Sequence, residues 1–288
     1  MKRRQGLVAF FFLLPGIGLL AIFLLAPSIT VFYFSFTKYS VIEAPEWIGL
    51  LNFKQLLLED SIFKIATFNT AYYTLGTVPL TMAIGLILAV IVNAKIKFRT
   101  FFRVAFYLPV VTSIIAVSVI WMWLYNPTYG LLNYFLQKLS LPTQDWLYDV
   151  KLAMPSIILM SVWQRVGYIM ILYLAGLQNI PDQLYGAAKI DGANKLDSFW
   201  YITLPLLKPI TLFVFIITVV GAFQVFSQIY VMTGGGPASA TTTIVHQLYV
   251  NAFRYFSMGY ASAITVLLFL IIFSLSVLSF KFFGGRES

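Results

Sequence analysis

The chain has 288 residues with a mean hydropathy of +0.88, and 60% of them are hydrophobic against 10% charged. A soluble domain carries about a quarter charged residues, so the composition is that of an integral membrane protein. No cysteine is present, which excludes disulfides, thiol catalysis and cysteine-ligated metals; a lone His246 argues against a histidine-rich metal centre, and the net charge of +9 comes without any nucleic-acid-binding motif.

A spanning helix needs about 20 mostly apolar residues. Runs of that kind fall near 8–36, 69–93, 104–125, 153–177, 206–232 and 261–283, six in all, and none contains a carboxylate. The first follows Lys2, Arg3 and Arg4, as a signal peptide would. It continues through "ITVFYFSF", however, about twice the length of a signal h-region of 7–15 residues, and reads as a retained span. Pro15 and Pro27 are tolerated because neighbouring helices satisfy the freed backbone groups. The outside loop 38–68 carries Trp47 and "GLLNFKQLLLED", read as a short helix with Asn52 as N-cap. The loop 126–152 opens "NPTYGLLN", a turn and then a helix start. In the loop 233–260, "TGGGPASATTT" ends the fifth span, because three glycines and a proline do not continue a helix. These loops read either as connectors or as the surfaces open to an external partner.

Orientation follows from Lys and Arg. With the N-terminus inside, segments 1–6, 94–103, 178–208 and 281–288 hold twelve basic residues, and the outside segments 38–68, 126–152 and 233–260 hold six. Both termini are therefore expected in the cytoplasm, and "NAKIKFRTFFR" is the strongest vote.

The inside loop 178–208 differs from the others. It reads "QNIPDQLYGAAKIDGANKLDSFWYITLPLLKP". Pro181 and Asp182 suit a first turn, Gly192 suits a C-terminal stop, and a second short helix follows from about Asn194 to Ile202. Gly186, Ala187, Ala188, Gly192 and Ala193 present a face that another surface can approach closely, with Phe199 and Trp200 as nearby anchors. The same residues would equally serve a tightly packed intrachain loop.

These residues resemble a family, the binding-protein-dependent ABC import permeases. Its sugar-import branch carries a cytoplasmic motif of the form E-A-A-x-x-D-G-A followed by F-x-x-I-x-L-P-x-x-x-P. Ala187, Ala188, Asp191, Gly192, Ala193, Phe199, Ile202, Leu204, Pro205 and Pro209 match it without interruption. "FYLPVVTSIIAVSVIWMWLYNPTYGLLN", "GLQNIPDQLY" and "TGGGPASATTTIVHQLYVNAFRYFSMGYASAI" also look like this branch. The resemblance implies an all-α polytopic membrane protein with six transmembrane helices and the ABC type I importer permease fold, forming a single permease domain over 1–288. It implies a multi-pass place in the cytoplasmic membrane, in a complex with a second related permease subunit, two ATP-binding cassette subunits and an extracellular or periplasmic sugar-binding protein. ATP and Mg would sit on the partner ATPase, with no cofactor and no metal in this chain; no P-loop sequence is present. The coupling contact would comprise Gly186, Ala187, Ala188, Lys189, Asp191, Gly192 and Ala193. The family's leading Glu is Gly186 here, which puts its salt bridge to the ATPase in doubt and leaves docking by shape.

In the family the third, fourth and fifth spans line the substrate path. The polar side chains there are Thr112 and Ser113, then Ser161, Trp163, Gln164, Arg165 and Tyr168, then Gln224 and Gln228. Gln164 and Tyr168 share a helical face by spacing, as do Gln224 and Gln228. Each could instead make an interhelical hydrogen bond. Arg165 is sharper: a mid-span arginine costs about 2.5–3.5 kcal/mol on insertion scales, so it is expected to face the path. Its partner would be a carbonyl, the other permease, or the cargo's hydroxyls or acidic group. The alternatives are a secondary transporter, which needs intramembrane acids or histidines absent here, a permease for a non-sugar solute such as glycerol phosphate, and a membrane enzyme, for which the spans hold no convergent acid–base set.

Overall fold

The computed structural model describes residues 2–94 and 97–283, and side chains among them from Phe10 onward except Phe11, Phe282 and Phe283. Lys95 and the side chains of Lys2, Arg3 and Arg4, which vote on orientation, lie outside this description. The spanning helices are α1 (Phe12–Phe34), α2 (Ser61–Asn93), the bent pair α3 (Arg99–Val111) and α4 (Ile114–Leu124), then α6 (Ala153–Gln178) and α12 (Met258–Phe283). The fifth span is itself divided into α9 (Lys208–Phe223) and α10 (Ser227–Met232). Between them lie α5 (Leu131–Lys138), α7 (Asp182–Ile190), α8 (Lys195–Ser198) and α11 (Ile244–Tyr249). Among the described residues, five helices are long and apolar enough to cross a membrane, or six if the bent pair counts as one span.

The third run, expected near 104–125, is bent: α3 and α4 meet at 97° across Thr112 and Ser113. One expectation is corrected here. Asn52 does not cap a helix; Leu50 stands at that position.

The chain divides into two compact units. The first holds residues 1–63 and 247–270. A two-residue antiparallel hairpin, Thr37–Lys38 against Glu46–Trp47, follows α1. Asn52 is buried beneath it, and its amide donates to the carbonyls of Ser35 at 3.0 Å and Thr37 at 2.9 Å. These bonds give the Ser35 and Thr37 carbonyls a buried donor. The Tyr260 hydroxyl donates to Asp60 Oδ2 at 2.6 Å, and Asp60 Oδ1 accepts from the Phe63 amide at the start of α2.

The second unit, residues 64–246 and 271–288, contains α6, the most deeply buried span. One apolar cluster surrounds its first half, with Tyr73, Val117, Tyr125, Ile157, Met160 and Ile229. A second surrounds its other half, with Val92, Ile169, Met170, Tyr173, Leu207 and Val214. In lipid the apolar effect does not drive helices together, so packing and small residues decide their approach. Gly167 shows this: a Cβ there would lie 1.9 Å from the Phe106 carbonyl oxygen, so only glycine lets the α3 backbone cross α6 at this distance.

Candidate substrate path and coupling elbow

An open cavity of about 490 Å³ lies where α6 faces α9 and α10. Gln164, Arg165 and Tyr168 line it from α6, and Gln224, Ser227 and Gln228 from the fifth span. Arg165 is the thirteenth of the 26 residues of α6, at its middle. Its guanidinium lies against α9 over Gly221, where a Cβ would come within 2.4 Å of Nη1. Gly221 therefore makes the slot that holds the charge. The signal for it in the sequence is a glycine in an apolar span, three positions before Gln224 of the polar set that faces the lone arginine. No carboxylate lies in any described span.

The cavity brings together five of the nine expected path residues, Gln164, Arg165, Tyr168, Gln224 and Gln228. Gln224 and Gln228 reach it, but not by sharing a helical face. α9 ends at Phe223, Gln224 caps it, and Gln228 lies on α10 beyond the break at 224–226. The Gln228 amide nitrogen donates to the Tyr73 hydroxyl at 3.0 Å and, more weakly, to Ser161 Oγ at 3.4 Å. Ser161 is buried behind the cavity wall and donates to the Ile157 carbonyl. Trp163 points elsewhere, its ring 5.5 Å from Trp121. Ser113 is exposed at the bend between α3 and α4 and does not line the cavity. Thr112 donates its hydroxyl to the Pro109 carbonyl at the same bend.

The loop after α6 forms the elbow. Pro181 stands at the N-cap of α7 in extended backbone, and Asp182 occupies the first turn, where the helix dipole favours a carboxylate. At the other end Gly192 takes φ +84°. Its amide donates to Lys189 and the next amide, Ala193, to Ala188, the paired bonds of a Schellman stop. Asn194 then caps α8: its side chain accepts from the Leu196 and Asp197 amides, and Asp197 returns a bond from the Asn194 amide. This capping box fixes the turn between the two short helices.

Tyr185, Ile202 and the fully buried Leu207 seat the elbow on the second apolar cluster, and the Tyr185 and Thr203 hydroxyls bond at 2.9 Å. Gln178, at the end of α6, stands beside two arginines of α3; with its amide oriented to satisfy both, its oxygen accepts from Arg99 Nη2 at 3.1 Å and Arg103 Nη2 at 3.0 Å. The side away from the cluster is bare. Ile190 is 88% exposed, and Leu196 and Trp200 are exposed too, whereas Phe199 turns partly inward beside a cavity of about 670 Å³. A Cβ on Gly186 or Gly192 would meet nothing within 4 Å. The absence of the expected acid at Gly186 is thus not forced by lack of room.

A polytopic helical bundle, with a polar cavity at mid-span and a capped elbow bare on one side, defines the membrane subunit of a transporter. Residues 81–283 match the family model described as the binding-protein-dependent transport system inner membrane component, and the chain belongs to that family. It is 38% identical to a probable ABC transporter permease protein, YurN of Bacillus subtilis, over the whole of both chains. It is 35% identical to the arabinooligosaccharides transport system permease protein AraP of the same organism, covering 96% of this chain and 88% of that one. A chain of a crystallised bacterial ABC transporter involved in the import of the acidic polysaccharide alginate superposes with a TM-score of 0.89 over 100% of this chain and 98% of that one; at 22% identity it shows the shared fold alone. The chain is accordingly a multi-pass ABC transporter permease.

Proposed function

We propose that this chain is one permease subunit of an ATP-driven sugar importer in the cytoplasmic membrane. It forms half of the translocation path, and a second related permease forms the other half. The observation that carries the reading is the elbow, two short capped helices that expose Ile190, Leu196 and Trp200 on the side away from the apolar cluster. Two ATP-binding cassette subunits, holding ATP and Mg, dock there through Ala187, Ala188, Lys189, Asp191 and Ala193, with Gly186 and Gly192 permitting close approach. Both termini lie inside. Closure of the ATPases moves the elbows, and the helices rock between inward-open and outward-open states around the cavity.

Cargo arrives from an external sugar-binding protein and is received by Gln164, Arg165, Tyr168, Gln224 and Gln228, while Ser161 supports Gln228 from behind. The similarity to permeases named for arabinooligosaccharides supports sugar as the cargo class. Gln164 and Tyr168 offer donors, acceptors and an aromatic face, which a sugar uses.

The test is reconstitution of the chain with the second permease, the ATPase subunits and the sugar-binding protein in proteoliposomes. Sugar uptake requires all components and ATP hydrolysis. Uptake by this chain alone, driven by an ion gradient, overturns the reading.

A further inference from the structure

We infer that the cargo carries a carboxylate, as a uronic-acid-type saccharide does, and that Arg165 receives it midway across the membrane. This rests on the cavity being the translocation path. Arg165 is the one charged residue in the cavity lining; its companions there, Gln164, Tyr168, Thr218, Gln224, Ser227 and Gln228, are neutral. Several of those are already engaged. The Thr218 hydroxyl donates to the Val214 carbonyl at 2.6 Å, and the Gln228 amide nitrogen serves Tyr73 and Ser161. No carboxylate of a described span is available to the guanidinium.

The chain also gives up a side chain on the facing helix, at Gly221, so that the guanidinium can sit at the cavity wall. A path for a purely neutral sugar is served by amides and hydroxyls without the insertion penalty of a central cation. An anionic cargo is different. Its carboxylate must leave water at the midplane, where an unpaired charge is strongly disfavoured, and a planar guanidinium meets a planar carboxylate through two parallel hydrogen bonds. One arginine neutralises one carboxylate, whereas a phosphate dianion would stay half compensated.

The chain has no cysteine, so a single thiol reports on the cavity. Ser227→Cys is placed in the assembled transporter, with the partner subunits made cysteine-free. It is labelled with anionic sulfonatoethyl and cationic trimethylammonioethyl methanethiosulfonates, with each rate normalised to the free thiol. The anionic reagent is expected to react about tenfold faster, within the enrichment that a cleft of one charge sign produces. Arg165→Gln should bring the ratio close to one, and Arg165→Lys should keep most of it. Millimolar digalacturonate should slow labelling, in a manner that needs the positive charge, and neutral galactobiose should not.

A ratio unchanged by Arg165→Gln overturns the inference and leaves the path reading standing. So does protection by galactobiose equal to that by digalacturonate, or protection by neither. Failure of both reagents to reach the thiol, with and without ATP, overturns the path reading and the inference together.

Discussion

The elbow after α6 and the glycine-rich loop after α10 are both glycine-bearing connectors of the second unit, yet they are held in different ways. The elbow's turns are made by its own neighbours in sequence: Gly192 with Ala193, and Asn194 with Asp197. The glycine-rich loop is pinned by residues far away in the chain. Asn69 donates to the carbonyls of Ser239 at 2.9 Å and Thr242 at 3.0 Å, Thr70 accepts from the Ile244 amide, and Thr243 donates to the Val225 carbonyl. Thr241, Thr242 and Thr243 are all buried. A connector whose turns are closed by its own neighbours and that is seated on one face leaves the other face exposed for a partner; a connector whose turns are tied to a long helix becomes part of the packed wall.

If that contrast is right, Asn69→Leu produces the largest loss of stability. It orphans the Ser239 and Thr242 carbonyls in the glycine-rich loop, and an unmade buried hydrogen bond costs about 1–3 kcal/mol. Thermal unfolding of the purified transporter should drop by several degrees, while the elbow's amide exchange stays unchanged. Gly192→Val should come next, since a branched residue held in the left-handed region costs about 1–3 kcal/mol. Here the strain is local: the transporter should assemble with near-normal melting and hydrolyse ATP with its transport uncoupled, read as the ratio of sugar moved to ATP consumed. Normal coupling in this variant would place docking elsewhere.

Asn194→Ala removes a helix cap worth about 1 kcal/mol. Faster amide exchange should appear over 195–203 and nowhere in the glycine-rich loop after α10. The smallest effect on stability belongs to Gly186→Glu. With open space around it, the substitution should change melting by less than about 0.5 kcal/mol. Its readout is affinity: an ATPase that keeps the basic partner of the family's acid should bind more tightly, and one that has lost it should not.

This contrast also explains what the sequence made legible. Gly192 and Asn194 could be read from residues within four positions, because caps are local bonds. Asn69 could not, since its partners lie about 170 residues away. The six apolar runs were legible from hydropathy, but the bend at Thr112–Ser113 was not: residues on both sides are equally apolar, so the run looks continuous. The break between α9 and α10 defeated the four-residue spacing of Gln224 and Gln228 for the same reason, as no proline or glycine marks 224–226. Of the expected path residues, Arg165 was singled out by the cost of its charge, and it does face the cavity. Trp163 was named for its chemistry, and its position was decided by Trp121, whose proximity no local pattern encodes.

The slot at Gly221 has a mechanical consequence. A guanidinium carried by α6 is accommodated by a gap in α9, so the two helices fit only where the gap stands opposite the charge. Slid by one turn, about 5.4 Å, α9 would present Ile217 or Thr218 instead, each with a Cβ that fills the space. Gly221 and Arg165 together work as a detent: they hold α6 and α9 in the alignment that leaves the guanidinium room at the cavity wall, and shifting the helices along each other would crowd it there.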